Sequence, residues 1–549
     1  MTSIRQPSVR RRAVALTVAA GLIFAACGGS DDDAADEPAD EQTDEPADEP
    51  ASEAGDEPAD EPASEPAADE AIAEDGEDRE EAVEVTIAPE VNEDPVVGGT
   101  IRFALEADVN GLNPTASSFS APGHVMAGAV FDHLASRTTD GRFVPNLAES
   151  FTPNEDFTQW TVKLREGITF HDDTPLNAEA VVVNFEAQRA HPLVGLAVKP
   201  YFPDEGATTI VDDLTVTFTM LDPNANFPSS LTGQLGYIAS PTWLQAALAD
   251  GSLNQAPVGT GPFVFESRSE DSVTRFVRND DWWGGEVYLD AVEFLPVPDP
   301  DSRTELLFGG ELDALQTTNQ ASILDLTDDG TVQNVLNDAS EESFAMINTA
   351  SPPFDDIRAR RALTLATPQE TYITLLRLGV ERRADQIFEP NSPYHDSSVV
   401  QETDRPEEAA ALAAEYCADF PENCTDNKIN IERQTSGPSV NQTREAELLA
   451  EGWSVAFNVS FQDLAEDAHI QEVAFGQYQV ADWRQFGAVE FSVDNVWLLC
   501  RTVGGISINW PRFCDEERDA LLLQAQLEED PAARAELYKE VARKINQDY

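Results

Sequence analysis

The sequence predicts an α/β protein of two or three lobes, set behind a long acidic segment that should be disordered. Three observations carry this reading. The chain has 549 residues, more than one average core holds. Beyond residue 95, short runs of alternating apolar residues interleave with helical patterns to the end, which argues for α/β lobes rather than a repeat or a bundle. Residues 28–95 repeat Asp-Glu-Pro-Ala units without a single aromatic residue. Such a segment cannot bury enough apolar surface to offset the entropy of ordering it.

The N-terminus reads as an export signal. Arg5 and Arg10 to Arg12 precede the apolar run "AVALTVAAGLIFAA", and Phe24-Ala25-Ala26 lead directly into Cys27. The ending resembles a bacterial lipobox, which predicts Cys27 as the lipidated first residue of the mature protein. No later run reaches about 18 uninterrupted apolar residues, so no second span is expected. As a coil, residues 28–95 would separate their ends by roughly 45 Å, and more once charge repulsion and proline stretch them. Residues 1–27 are thus the expected lipoprotein signal, and 28–95 a tether.

The folded body follows in order. "GGTIRFALEADVNGLNP" opens with a strand in which Ile101, Phe103 and Leu105 alternate. "HVMAGAVFDHLAS" reads as a helix. "WTVKLREGITFHDDTPLNAEAVVVNFEAQ" gives a strand through Trp160, Val162 and Leu164, a short strand at Ile168 and Phe170, a turn, and a helix capped by Asn177. "TIVDDLTVTFTML" is a hairpin and "SPTWLQAALADG" a helix. "VGTGPFVFESR" and "SVTRFVRND" are strands, and "SRTELLFGGELDAL" is a helix stopped by glycine before another strand. "ESFAMINT" is a strand, and "DDIRARRALTLAT" a helix that stops near Pro368. Strands "NKINIERQT" and "SVAFNVSFQ" alternate with the helices "RPEEAAALAAEYCADF", "QTREAELLAEGW" and "ERDALLLQAQLEEDPAARAELYKEVARKINQDY".

The formal charge is -68, from 34 basic and 102 acidic residues, and it is shared by tether and body. That field opposes nucleic acid and anionic lipid headgroups. An acidic surface poor in lysine reads as adaptation to a saline habitat, not as a cation site. Four cysteines remain after Cys27, and an exported chain favours disulfides. Cys417 with Cys424, and Cys500 with Cys514, are expected as two local staples, although three connectivities are formally possible. Their spacings of seven and fourteen match no compact zinc knuckle.

A search for catalytic chemistry yields none. The chain has neither a Gly-x-x-x-x-Gly-Lys phosphate loop nor His-Glu-x-x-His, and its six histidines are scattered. His171 beside Asp172 and Asp173 reads as a turn after a strand. The glycines of "FGGEL" and "VGTGP" read as tight turns and close backbone approaches. Carboxylate pairs are too common in so acidic a chain to identify a hydrolase. No catalytic residue, metal or cofactor is expected.

Five stretches, in order, resemble the peptide/nickel type of solute-binding proteins (family 5) that serve ABC importers. They are "GGTIRFALEADVNGLNP", "WTVKLREGITFHDDTPLNAEAVVVNFE", "PVGTGPFVF" with "VRNDDWWGG", "LLFGGELDAL" and "MINTASPPFDDIRARRAL". The resemblance implies a two-lobed periplasmic-binding-protein-like fold of type II (Venus-flytrap), with an extra inserted domain. Lobe I would take 96–130 and 255–345, the inserted domain 131–254 and lobe II 346–517, with 518–549 returning toward lobe I. Family members continue past the equivalent of "KINQDY" into a closing strand, so a truncated C-terminus is expected.

The implied function is a lipid-anchored receptor on the outer face of the cytoplasmic membrane. It would be a monomer that captures a peptide or similar small solute and passes it to an ABC permease with its ATPase subunits. A ligand-sensing surface lipoprotein is the alternative, and an extracellular hydrolase the remoter one. The resemblance places Trp483 on the wall of the interlobe cavity, with Arg484 and Phe486 beside it. Dipeptide-binding relatives carry an amine-holding aspartate where this chain has Phe486, leaving Glu490 and Asp494 as substitutes; Arg484 would favour a carboxylate or phosphate. Ser117, Ser118 and Phe119, Asn348, and Asn509 with Trp510 complete the expected lining.

Overall fold

The strand Thr100–Leu105 lies inside a five-stranded sheet, parallel to Ala291–Pro296 on one side and to Ala314–Leu315 on the other. Val273–Arg278 and Phe263–Ser269 extend the sheet antiparallel from Ala291–Pro296. Alternation puts Phe103 beside Phe294, ring centroids 5.8 Å apart, and Phe276 packs on Phe294 at the same distance. The helix Ala121–Val130 covers this layer with Met126, Ala127 and Val130. It ends earlier than its sequence suggests: Phe131 is already extended, and Ala135–Arg137 forms a strand with Phe143–Pro145. Gly259 and Gly261 pass against the end of this helix. A Cβ on Gly259 would meet the Val130 carbonyl oxygen at 2.0 Å, so both glycines of "VGTGP" permit a close approach.

The computed structural model describes residues 95–117, 119–138, 142–335, 341–436, 440–486 and 490–548. The expected signal with Cys27, the acidic segment before residue 95, and Ser118 lie outside them. The described residues fall within one unit, 81–549. No described helix is long and apolar enough to cross a membrane.

A second layer is inserted between the first strand and its neighbours. Its four antiparallel strands run Ala148–Pro153, Gln159–Leu164, Thr215–Thr219, Thr208–Asp212 across the sheet. The helix Ala178–Ala190 packs on it, its N-cap Asn177 accepting from the Ala180 amide at 2.9 Å. Phe185, Phe202, Phe218, Phe227 and Trp160 form the core. Asp132 fastens this layer to the first sheet: its carboxylate accepts from the indole of Trp283 at 2.8 Å and the hydroxyl of Thr260 at 2.9 Å.

The third sheet carries Glu341–Ile347 antiparallel to Val480–Phe486, which runs parallel to Lys428–Ser436. Phe457–Leu464 joins the latter in parallel and Cys424–Thr425 antiparallel. Helices Ile357–Ala366, Pro406–Asp419 and Val440–Trp453 bury Phe354, Leu363, Tyr416 and Trp453 against it. One expected boundary needs correction. Glu341–Ile347 pairs along its whole length with Val480–Phe486, so a break at 345/346 would cut a strand of this sheet. The C-terminal segment forms two helices, Glu516–Leu527 and Pro531–Asp548, whose described aromatic contacts are made with residues 388–491. Tyr538, Val541 and Ala542 pack on Phe388, Tyr394 and Phe491, and Arg543 pairs with Asp396 at 2.5 Å. Aromatic burial beside the third sheet holds them there. Both staples are present, Cys417–Cys424 and Cys500–Cys514.

Candidate ligand-binding site

Three tryptophans from three segments meet where the inserted layer approaches the third sheet. Trp483 comes from the strand Val480–Phe486, Trp510 from the loop closed by Cys500–Cys514, and Trp497 from the end of the 3-10 segment Phe491–Trp497. Ring centroids lie 5.2 Å apart for Trp483 and Trp510, and 5.4 Å for Trp497 and Trp510. Trp510 is 7% exposed, and the two outer rings are only partly buried. Leu196 and Tyr201 of the inserted layer pack against the cluster. The result is an aromatic wall between two parts of the molecule, the setting in which apolar pockets form. Two buried nitrogens at this wall, Trp510 Nε1 and His469 Nδ1, have no hydrogen-bond partner among the described residues. The His469 ring lies 5.9 Å from that of Trp483, and its Nε2 lies 2.8 Å from the Asp482 carbonyl oxygen.

The loop that presents Trp510 is held from inside. The Asn509 amide nitrogen lies 2.9 to 3.2 Å from the carbonyl oxygens of Leu498, Leu499 and Phe513, and its amide oxygen accepts from the Phe513 amide. Tyr478 donates its hydroxyl to the Trp510 carbonyl at 2.6 Å, and Thr349 gives both amide and hydroxyl to the Pro511 carbonyl. Thus Asn509 is a structural knot, not part of the lining, because its polar atoms are spent on backbone. The same correction applies to Asn348. Its amide donates to the carbonyls of Gly476 and Tyr478, and its oxygen accepts from Ala350. Phe119 belongs to the core of the first lobe, edge-on to His124 and Tyr237, while Gln234 ties down the 114–117 loop beside it.

Strand alternation decides Arg484. Trp483 and Arg484 project to opposite faces, and Arg484 is exposed, so it does not share the tryptophan wall. Phe486 ends the strand opposite Glu341; its side chain lies outside the described residues. Of the two carboxylates suggested in place of the relatives' aspartate, Glu490 caps the Phe491–Trp497 segment and pairs with Arg534 at 3.5 Å. Asp494 is buried beside Tyr201, whose hydroxyl is pushed toward the protonated form chiefly by burial, with the Asp494 charge adding to it. His171 contacts the Gly261 carbonyl, and Asp172 accepts from Ser240 and Thr174, which makes "TFHDD" a hairpin joint. Among the described residues, no cluster of histidine, cysteine or carboxylate could hold a metal.

Sequence reasoning missed Trp497, Tyr201 and the pair beneath Trp483. Arg433 meets Asp482 at 2.6 Å inside the sheet and lies 5.2 Å from the Trp453 ring centroid. Burial pushes the Asp482 carboxyl up, against the pull of Arg433. Trp497 was visible only as a second tryptophan in the same stretch. Nothing in the sequence marks Tyr201, which lies nearly three hundred positions from its hydrogen-bond partner Val496.

Three larger sheets, with an aromatic wall where two parts of the chain meet, give a frame in which a small solute can be held. The bacterial extracellular solute-binding protein family 5 model matches residues 142–504, and the chain belongs to that family. Its relatives include di/tripeptide-binding protein 2 of Pseudomonas aeruginosa, 27% identical over 474 residues, spanning 81% of this chain and 87% of that protein. Heme-binding protein A of Haemophilus influenzae is 29% identical over 430 residues, spanning 72% and 76%. Among solved structures, the periplasmic binding protein DppA of Helicobacter pylori in complex with peptide STSA superposes with a TM-score of 0.72. At 20% identity, over 82% of this chain and 91% of that one, it shows the shared two-lobed fold.

Proposed function

We propose that this chain is the extracytoplasmic binding component of an ABC importer, held at the membrane by a lipid on Cys27. It captures a peptide or similar small solute against the Trp483–Trp510–Trp497 wall and delivers it to a permease powered by separate ATPase subunits. The observation that carries this reading is the family membership of residues 142–504, together with an aromatic wall that exposes two rings where lobes meet. Closure over solute follows from differential contact: a solute favours the shut state only by what it touches there and nowhere else. A micromolar affinity, about -8 kcal/mol, exceeds the few kcal/mol that a disfavoured shut state would cost.

Native mass spectrometry of the purified protein tests the reading directly. A co-purified small molecule, displaced on denaturation and chemically unchanged, is the expected result. If thermal-shift screening of peptide libraries gives no rise in melting temperature, and the solution-scattering envelope stays fixed, the binding role fails. Chemical cleavage of the captured solute would replace it with a hydrolase.

A further inference from the structure

We infer that Tyr201 is the tongue of a clasp between the inserted layer and the C-terminal half, and that the cleft cannot open without breaking it. The inference rests on the solute-binding reading. Tyr201 ends the 3-10 turn Lys199–Tyr201 of the inserted layer. Its hydroxyl accepts from the Val496 amide at 2.8 Å and donates toward the Val493 carbonyl at 3.3 Å. Both partners lie in the short segment that ends in Trp497. One phenol hydroxyl therefore holds the backbone beside an exposed edge of the aromatic wall.

Three further residues of the C-terminal half join the same two parts. Arg501 lies over the Tyr201 ring and pairs with Asp222 of the inserted layer. Gln526 donates its side-chain amide to the Pro223 carbonyl at 2.9 Å, and its own carbonyl accepts from the Ala225 amide. Arg534 reaches the Asn226 side chain at 3.3 Å. The short run 222–226 and the turn at 201 thus meet residues 493–534 along one line. Gln526 also accepts from Asn495, which ties that line to the Trp497 segment. Apart from the Ala225–Gln526 backbone bond, these contacts are made by side chains, and none belongs to a sheet ladder. They are the kind of contact a closing motion can make and break without unfolding either part. Tyr201 is accordingly a positioning residue: its hydroxyl is spent on backbone, and it sets how often the wall is assembled before solute arrives.

Hydrogen exchange on the full-length protein without solute tests the clasp. Tyr201→Phe keeps the ring in its packing and removes the hydroxyl; Arg501→Ala attacks the clasp from the other side. In both variants, amides of 491–501 should exchange about tenfold faster, while the inserted strands from 148 to 219 keep their protection. Solution scattering should show a larger radius of gyration for each variant. Unchanged exchange at 491–501, or loss of protection throughout the inserted layer, would show Tyr201 to be an ordinary packing residue and overturn the inference. These readouts need no solute, so a failure of the transport reading would leave them standing.

Discussion

The two disulfide loops use the same covalent device for different ends. Cys417–Cys424 joins the last turn of the helix Pro406–Asp419 to the edge strand Cys424–Thr425. Tyr416 accepts from Asn423 at 2.8 Å, and Arg358 of the helix Ile357–Ala366 lies over the Tyr416 ring while pairing with Asp419. Cys500–Cys514 instead encloses a segment tied to distant parts of the chain. Tyr478 and Thr349 hold it from the third sheet, Arg512 bonds the Ala474 carbonyl, and Asp519 accepts from the Cys500 amide at 2.9 Å. The first loop fastens an edge. The second fixes the orientation of a ring, Trp510, in the aromatic wall proposed to hold the solute. A staple becomes functional when the loop it closes is bonded outward at several points.

Breaking the second loop from within should have the largest effect. Asn509→Leu removes one donor from each of three carbonyls that keep other donors, and takes the partner from the Phe513 amide, at a cost of about 3 kcal/mol. Urea unfolding should show that loss together with a collapse of solute affinity. If affinity survives at a urea concentration where the variant is still folded, Trp510 is not part of the site. Removing the covalent links comes next. Serine at both Cys500 and Cys514 should destabilise by about 3 kcal/mol, and at both Cys417 and Cys424 by about 2 kcal/mol, because the shorter loop restrains the unfolded chain less. The sharper contrast lies in binding: only the first pair of substitutions should weaken capture of the solute found by mass spectrometry. Equal losses from both would erase the distinction.

What the sequence made legible follows from the range of each interaction. Strand alternation through Ile101, Phe103 and Leu105 and the Asn177 cap are local, and the structure contains both; the "VGTGP" glycines mark a close approach, but not its partner, Val130, far away in the chain. The pairing of neighbouring cysteines was equally short-range. Trp483 and Trp510, both named from the sequence, lie side by side with ring centroids 5.2 Å apart. The polar candidates fared worse for a physical reason. An asparagine in a sequence does not reveal whether its amide faces a ligand or caps backbone carbonyls, and Asn348 and Asn509 do the latter. Arg484 was excluded by the alternation that also selects Trp483. Tyr201 and Trp497 depend on where the inserted layer settles, and no local pattern encodes that.

A milder substitution probes the edge loop alone. Tyr416→Phe removes one hydrogen bond with Asn423 and should cost about 1 kcal/mol in urea unfolding, with solute affinity unchanged. An affinity loss would mean that the edge loop communicates with the wall.

The smallest expected effect is a divergence of the two loops in acid. Asp356 supports the first loop through Arg358, whose hydrogen bond holds its carboxyl below the usual value of 3.8. Its contribution is therefore present above that value and is lost as pH falls through the lower folded one. Asp519 behaves oppositely. Burial pushes its carboxyl up, only partly offset by the Cys500 amide, so its charged form opposes folding at neutral pH. That opposition is relieved as pH falls through the raised folded value, and is gone below 3.8. As pH falls from 7 toward 3.8, amide protection should rise around 500–514 and stay level around 416–424; below 3.8 the latter should begin to fall. Protection factors from hydrogen exchange, corrected for intrinsic rates, measure both loops in one sample. Asp519→Asn should abolish the rise at the second loop and leave the fall at the first. If the loops instead lose protection in parallel, acid acts on them through the general discharge of the surface, and their difference is confined to what each disulfide encloses.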